Sequence, residues 1–368
     1  MLGWEALRRG LWVAAAQRLC ASMLIVGLTG VLGWATIRRN ADYRTEEGIW
    51  RDTVAKQPHN ARALTNLGVI LADQGKHDEA ERDLTQAVHD LLPSSSPAAV
   101  AVVHNNMGAM LVARGRFDEA IAHYRIALGE DPEYADAHYN LGVALLRKGQ
   151  LTEAIAQFQE AVRLVPYNPT YHGGLAVALA QAGRIGEAIA HDKTALYFWP
   201  GDVGVRQHVA LLLMQQGNLA EAMEHFELAL AAKPQDGQLR MLYGDALGQQ
   251  GRVDEALAQY VQALQDLPTD AGLQQRLGDA LASRGRLDEA VIYYAAALSQ
   301  LPDAPELHHN FAVVLAAQSH IEEAIAQETI ALQLSPTYAK AHREMADLLA
   351  QQGRTAEAEE HRKAAESP

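Results

Sequence analysis

An all-α solenoid of helix–turn–helix units is the fold this sequence predicts, and three recurrences carry the prediction. Small residues return at a fixed step, at Gly68, Gly108, Gly142, Ala176, Ala210, Gly244, Gly278, Ala312 and Ala346; the first interval is 40 residues and the next seven are 34. An alanine follows twelve residues after each, from Ala80 to Ala358, and another nineteen after, from Ala87 to Ala365. Prolines close most units, at Pro132, Pro166, Pro200, Pro234, Pro268, Pro302 and Pro336. Small side chains at fixed helical positions let antiparallel helices, and then neighbouring pairs, approach closely. Such a chain grows in one dimension and needs no single large core.

Each element has a local cause. Seven residues beyond each small residue, all but one unit carry a glycine that can end the first helix in the left-handed cap conformation, as at Gly75, Gly115 and Gly285. Ser319 breaks that series, so the eighth turn is expected to be less well formed. Glu precedes the first alanine in all nine units and suits the first turn of a second helix. Asp78, Asp118, Asp254 and Asp288 stand just before it and are expected as N-caps.

These residues resemble the tetratricopeptide-repeat (TPR) family over 61–368. The resemblance implies a right-handed superhelical solenoid of nine repeats: 61–100, 101–134, 135–168, 169–202, 203–236, 237–270, 271–304, 305–338 and 339–368. The six extra residues of the first are assigned to a surface loop, Pro93-Ser94-Ser95-Ser96-Pro97. Residues 45–58 place Trp50 and Pro58 in the register of a lone second helix, which would cap the first full unit. In the last helix Arg362 and Glu366 replace apolar residues such as Tyr124 and Leu128, a polar face that reads as a terminal cap.

The N-terminal region is of another kind. Residues 19–37 hold no charge and are bounded by Arg18 and by Arg38 and Arg39. As a helix they would span about 28 Å, enough for the hydrocarbon core of a bilayer. They are read as a transmembrane anchor, with Trp34 at an interface; the alternative is a cleaved signal peptide ending near Gly33-Trp34-Ala35. The expected organisation is a juxtamembrane or interfacial segment at 1–18, the membrane helix at 19–37, a linker and half-repeat helix at 38–60, and the array at 61–368. Formal net charge is −14, with +4 in residues 1–44 and −18 in the remainder. An acidic array repels phosphate backbones, so no nucleic-acid partner is expected; protein or peptide partners should be basic or neutral.

No HExxH, GxxxxGK[ST], GxSxG or CxxC occurs, and Cys20 is the sole cysteine. No catalytic residue, cofactor or metal is therefore expected. His104, His138, His172, His308 and His342 recur in register and are read as half-buried or groove-edge side chains, because equivalent residues of neighbouring repeats stand roughly 8–10 Å apart, too far to share one ion.

Two features remain as candidate binding residues. Asn66, Asn106, Asn140 and Asn310 lie two residues before the small residue, on the helix that lines the concave groove in TPR arrays. The series is similar to the asparagine ladder of the O-linked N-acetylglucosamine transferase TPR domain, which implies contacts to the backbone of extended polypeptide. A carboxamide donates and accepts, so it can pair with any peptide unit. Gly174, His208, Leu242, Arg276 and Glu344 interrupt the ladder, and the other reading is that Asn merely suits the repeat pattern. Around Pro200, Phe198 is assigned to the core, while Tyr197 and Trp199 are expected at the surface. They read either as an aromatic anchor for a partner or as compensation for looser packing where Asp192 replaces the usual aromatic, as Glu328 does in the eighth repeat.

The junction 36–68 carries Arg38-Arg39-Asn40, Tyr43, Glu47, Trp50, Pro58-His59-Asn60 and Asn66-Leu67-Gly68. It resembles the join between the last membrane helix and the TPR region of TMTC-type membrane glycosyltransferase-like proteins. That resemblance implies an array outside the cytoplasm (periplasmic in a bacterium); with the single span read at 19–37, the expected localisation is a single-pass membrane protein. It also implies a polytopic glycosyltransferase-like partner, or a separated C-terminal region that presents acceptor polypeptides. The loop carboxylates and multiple membrane helices of such an enzyme are absent from this sequence, so no activity carries over.

Overall fold

The computed structural model describes residues 45–91 and 95–366. Among these residues there are nineteen α-helices and no strand. None of these helices is long and apolar enough to cross a membrane; the expected anchor at 19–37 and the segment 1–18 lie outside the described residues. The fold divides after Pro166 into two compact units. The first contains α1 (Glu46–Lys56) and three helix pairs, α2 (Ala61–Asp73) with α3 (His77–His89), α4 (Pro97–Ala113) with α5 (Phe117–Glu130), and α6 (Ala135–Arg147) with α7 (Leu151–Leu164). The second contains six pairs: α8 (Pro169–Gln181) with α9 (Ile185–Phe198), α10 (Val203–Gln215) with α11 (Leu219–Ala232), α12 (Gly237–Gln249) with α13 (Val253–Ala263), α14 (Ala271–Ser283) with α15 (Leu287–Leu298), α16 (Pro305–Ala317) with α17 (Ile321–Leu334), and α18 (Ala339–Gln351) with α19 (Thr355–Glu366).

The periodic small residues work by omission. A Cβ built on Gly108 would lie 2.6 Å from Tyr124 Cε1, and one on Gly142 would lie 2.9 Å from Phe158 Cδ1. Gly244 and Gly278 face Tyr260 and Tyr294 in the same way. Each large side chain of the second helix thus rests directly on bare backbone of the first. The recurring alanines are buried between pairs. Each large aliphatic or aromatic side chain taken from water contributes about 1.5–3 kcal/mol and each alanine methyl about 0.8 kcal/mol, so stability accrues pair by pair. α1 packs along α2, with Thr45 as its N-cap and Val54 against the Leu64 cluster.

Several sequence expectations are corrected. The second helices begin two residues earlier than the aspartates suggest: Lys76, Arg116, Arg252 and Arg286 occupy the N-cap with no side-chain cap bond. Asp78, Asp118, Asp254 and Asp288 therefore lie within the first turn. There they face the end of the next first helix and pair with Arg114, Lys148, Arg284 and Gln318. The capping side chains belong instead to first helices, at Asn60, Ser96, Asn168, Asp202, Asp236 and Asp270. Pro97 is not loop: with Ser96 as N-cap it opens α4, whose seventeen residues exceed the thirteen of α6 by one turn. That turn absorbs four of the six extra residues of the first unit.

Ser319 does not loosen its turn. It adopts φ 65, beside 73 to 82 for the glycines, and keeps the paired cap bonds, Ser319 N–H to Ala316 O and His320 N–H to Leu315 O, both 2.9 Å. What it carries is left-handed strain on a residue with a Cβ. Ser319→Gly is expected to stabilise the array by about 0.5–1 kcal/mol in urea melts, with no change in helicity.

Candidate inner-face binding site

In the first unit α2 touches α4 and α4 touches α6 directly; in the second, α14 touches α16 and α16 touches α18. No comparable contact joins successive second helices among the described residues. First helices are thus the more crowded side, and their free surface is the inner face of each unit.

In the first unit that face opens into a cavity of about 600 Å³ between α2 and the start of α4. Asn66, Thr65 and Arg62 line it together with the exposed Val102 and the half-buried Leu91. Of the other candidate asparagines, Asn106 is half-buried on α4. Asn140 donates through Nδ2 to Asn105 Oδ1 at 3.0 Å, and Asn105 donates onward to the Tyr134 hydroxyl at 3.5 Å. Asn105 escaped the sequence reading because it lies one residue off the ladder.

In the second unit the ladder position keeps its place with different chemistry. Arg276 Nε donates to Asp245 Oδ1 at 2.7 Å, and Asn310 donates to Asp279 Oδ1 at 3.3 Å. Phenols complete the pattern: Tyr260 donates to Asp245 at 2.8 Å and Tyr294 to Asp279 at 2.5 Å. Burial and the facing carboxylates raise the pKa of both tyrosines, so both hydroxyls keep their protons. A cavity of about 760 Å³ runs along α10, α12 and α14, with Leu211, Leu242, Asp245, Tyr260, Arg276 and Asp279 in its lining. Asn66, Asn106 and Asn140 lie in the first unit and Asn310 in the second.

Two carboxylates occupy core positions elsewhere taken by aromatics. Asp192 is 1% exposed, with Oδ2 2.6 Å from His208 Nδ1; Glu328 is wholly buried, with Oε1 2.7 Å from His309 Nδ1. Each has a second oxygen, Asp192 Oδ1 and Glu328 Oε2, without a hydrogen-bond partner. Burial raises both pKa values, opposed by the imidazoles.

The register histidines are more buried than expected, and each reaches across its own pair. His104 meets His123, His172 meets His191 and His342 meets His361, Nδ1 to Nδ1, at 2.9, 2.9 and 2.8 Å. His138 and His308 meet Gln157 and Gln327 instead, at 2.7 and 2.6 Å. This nineteen-residue pairing is periodic in the sequence and was legible there. Among the described residues no three His, Cys, Asp or Glu side chains are placed to hold a metal ion.

Tyr197 and Trp199 are exposed by 79% and 55%, as expected. Phe198 is not core: it is 43% exposed, its ring edge-on to Tyr197 at 5.2 Å. The helix ends at Phe198 and Trp199 leaves it, so no further turn exists to close over that ring.

A tetratricopeptide-repeat family profile matches residues 110–169, 210–271, 241–305 and 309–368, and two further profiles of the same description match 60–90 and 169–191. The chain belongs to the tetratricopeptide-repeat family. Similar curated proteins include the Protein O-mannosyl-transferase Tmtc1 of Drosophila melanogaster, 40% identical over 73 residues that make up 20% of this chain and 8% of that protein. Tmtc2 of the same organism is 41% identical over 61 residues, 17% of this chain and 6% of its own length. The chain thus spans less than a tenth of either relative. Solved structures of similar fold include the APC/C heterotetramer Cut9–Hcn1, with TM-score 0.52 and 18% identity over 83% of this chain and 60% of that one. Another is pilF of Pseudomonas aeruginosa, with TM-score 0.52 and 20% identity over 61% of this chain and 100% of that one.

Proposed function

We propose that the chain is a non-catalytic scaffold, held at a membrane by residues 19–37 with its repeats outside the cytoplasm, and that its inner face binds extended polypeptide. The observation that carries this reading is the cavity between α2 and α4, where Asn66 stands beside the exposed Val102. A carboxamide next to apolar surface suits a peptide backbone and its alternate side chains. The uncharged stretch at 19–37 supports the tether. Replacing Asn66, Asn106 and Asn140 together by Ala is expected to weaken peptide capture at least several-fold with helicity intact; unchanged capture overturns groove binding. Deleting residues 1–44 is expected to move the chain from carbonate-washed membranes to the supernatant, and a full-length chain that washes off overturns the tether.

A second reading makes the scaffold an accessory of a membrane O-glycosyltransferase, presenting acceptor polypeptides to it. It is favoured by the 40% identity to an O-mannosyl-transferase over 73 residues. Affinity purification from solubilised membranes separates the two. A polytopic glycosyltransferase recovered with the full chain, but not after deletion of 1–44, supports the accessory role. Equal recovery of soluble proteins by both forms rejects it.

A further inference from the structure

We propose that the inner face of α10, α12 and α14 selects a polypeptide carrying one basic and one apolar side chain, the cation meeting Asp279 and the apolar group meeting Leu211 and Leu242. The inference deepens the groove-binding reading and rests on it. The cavity of about 760 Å³ is divided in character along its length. Leu211, 37% exposed, and Met214 lie on α10, Leu242 and Asp245 on α12, and Arg276 and Asp279 on α14.

The two aspartates are not equivalent. Asp245 is matched by the Arg276 guanidinium at 2.7 Å. Asp279 receives only neutral donors, the Tyr294 hydroxyl and the Asn310 amide, both on Oδ1. Those bonds fix the carboxylate in place on an exposed residue; Arg276, bonded to Asp245, acts on it only from a distance. A guanidinium or ammonium arriving there makes a charge-assisted bond to a group already oriented, while an acidic side chain is repelled. The acidic character of the array adds long-range attraction of the same sign.

The spacing is also selective. Leu211, Asp245 and Asp279 hold the same position in three successive repeats, 34 residues apart. Successive first helices stand roughly 10 Å apart, and an extended chain advances about 3.3 Å per residue. Leu211 and Asp279 therefore match side chains about six residues apart, which fall on one face of an extended peptide. Gln249 and Gln275, also in the lining, supply carboxamides to peptide units between them.

The test uses the full chain in detergent and fluorescein-labelled Gly/Ser decapeptides read by anisotropy. One peptide carries Leu and Arg six positions apart; its twins carry Glu for Arg, or Ser for Leu. The Leu–Arg peptide is expected to bind about tenfold tighter than either twin, with the margin over the Glu twin shrinking at high salt. Asp279→Asn should bring the Arg and Glu peptides within about threefold of each other. Leu211→Asp adds a carboxylate to the same row, so it should tighten binding of the Arg peptide that lacks Leu, and it decides the matter should Asp279→Asn perturb the fold. Equal binding of the Arg and Glu peptides, or an unchanged preference in both variants, overturns this inference and leaves groove binding standing. If no peptide of any charge binds, the groove reading itself falls, and this one with it.

Discussion

His309→Leu is expected to cost the array about 3–5 kcal/mol, because it strands a carboxylate with no access to water. Glu328 is wholly buried, His309 is the partner of Oε1, and Oε2 has none. The loss should depend on pH. Burial raises the carboxyl above its ordinary 4.5, so the variant is most stable below that value and loses stability as pH rises through the folded-state pKa. Urea melts at pH 4 and pH 8 read both effects; equal stability at the two pH values contradicts the account. Adding Glu328→Phe with Ala312→Gly should restore the loss, since a bare glycine beneath an aromatic ring is how Gly108 and Tyr124, or Gly142 and Phe158, fill that position. Replacing a buried ionic group by well-packed apolar side chains is commonly neutral or stabilising.

The second large effect concerns acid. In His104–His123, His172–His191 and His342–His361, one Nδ1 carries a proton and donates to the other. One added proton per pair is accommodated on Nε2 of the donating ring, which keeps its Nδ1–H bond, but two would set N–H against N–H. Burial holds His123, His191 and His361 below the ordinary 6.5. The unfolded chain therefore takes up protons first, and stability present above pH 6.5 declines as pH falls through it. The array supplies its own control, since Gln157 and Gln327 occupy the same place opposite His138 and His308 without titrating. The triple variant His123→Gln, His191→Gln, His361→Gln should match the parent at pH 8 and exceed it at pH 5. After solvent screening of these half-buried rings the gain is on the order of 1 kcal/mol in total. Thermal melts at the two pH values measure it, and parallel losses in parent and variant would remove the histidine pairs as the cause.

Most of the fold was legible because its causes are local and repeated. The small residues mark where a second-helix side chain must touch backbone, and the glycines mark turns that need positive φ. What was missed depends on a second element. Asp78 and its equivalents look like caps until the arginine or lysine of the following repeat is in place. Phe198 looks apolar enough for the core, but its helix ends beneath it. Of the candidate site, the ladder position was visible in the sequence. That Arg276 and Asn310 there would address aspartates of the preceding repeat was not, because it needs the offset between neighbouring helices.

The inner face is assembled from single rungs, one per repeat, as with Leu211, Asp245 and Asp279. Loss or gain of one whole unit in the encoding DNA would shorten or lengthen the ladder by a rung and keep every face in phase. A few inserted codons would instead need an accommodation such as the extra turn of α4. This architecture lets the order of rungs be rewritten by shuffling units, with no new fold to discover.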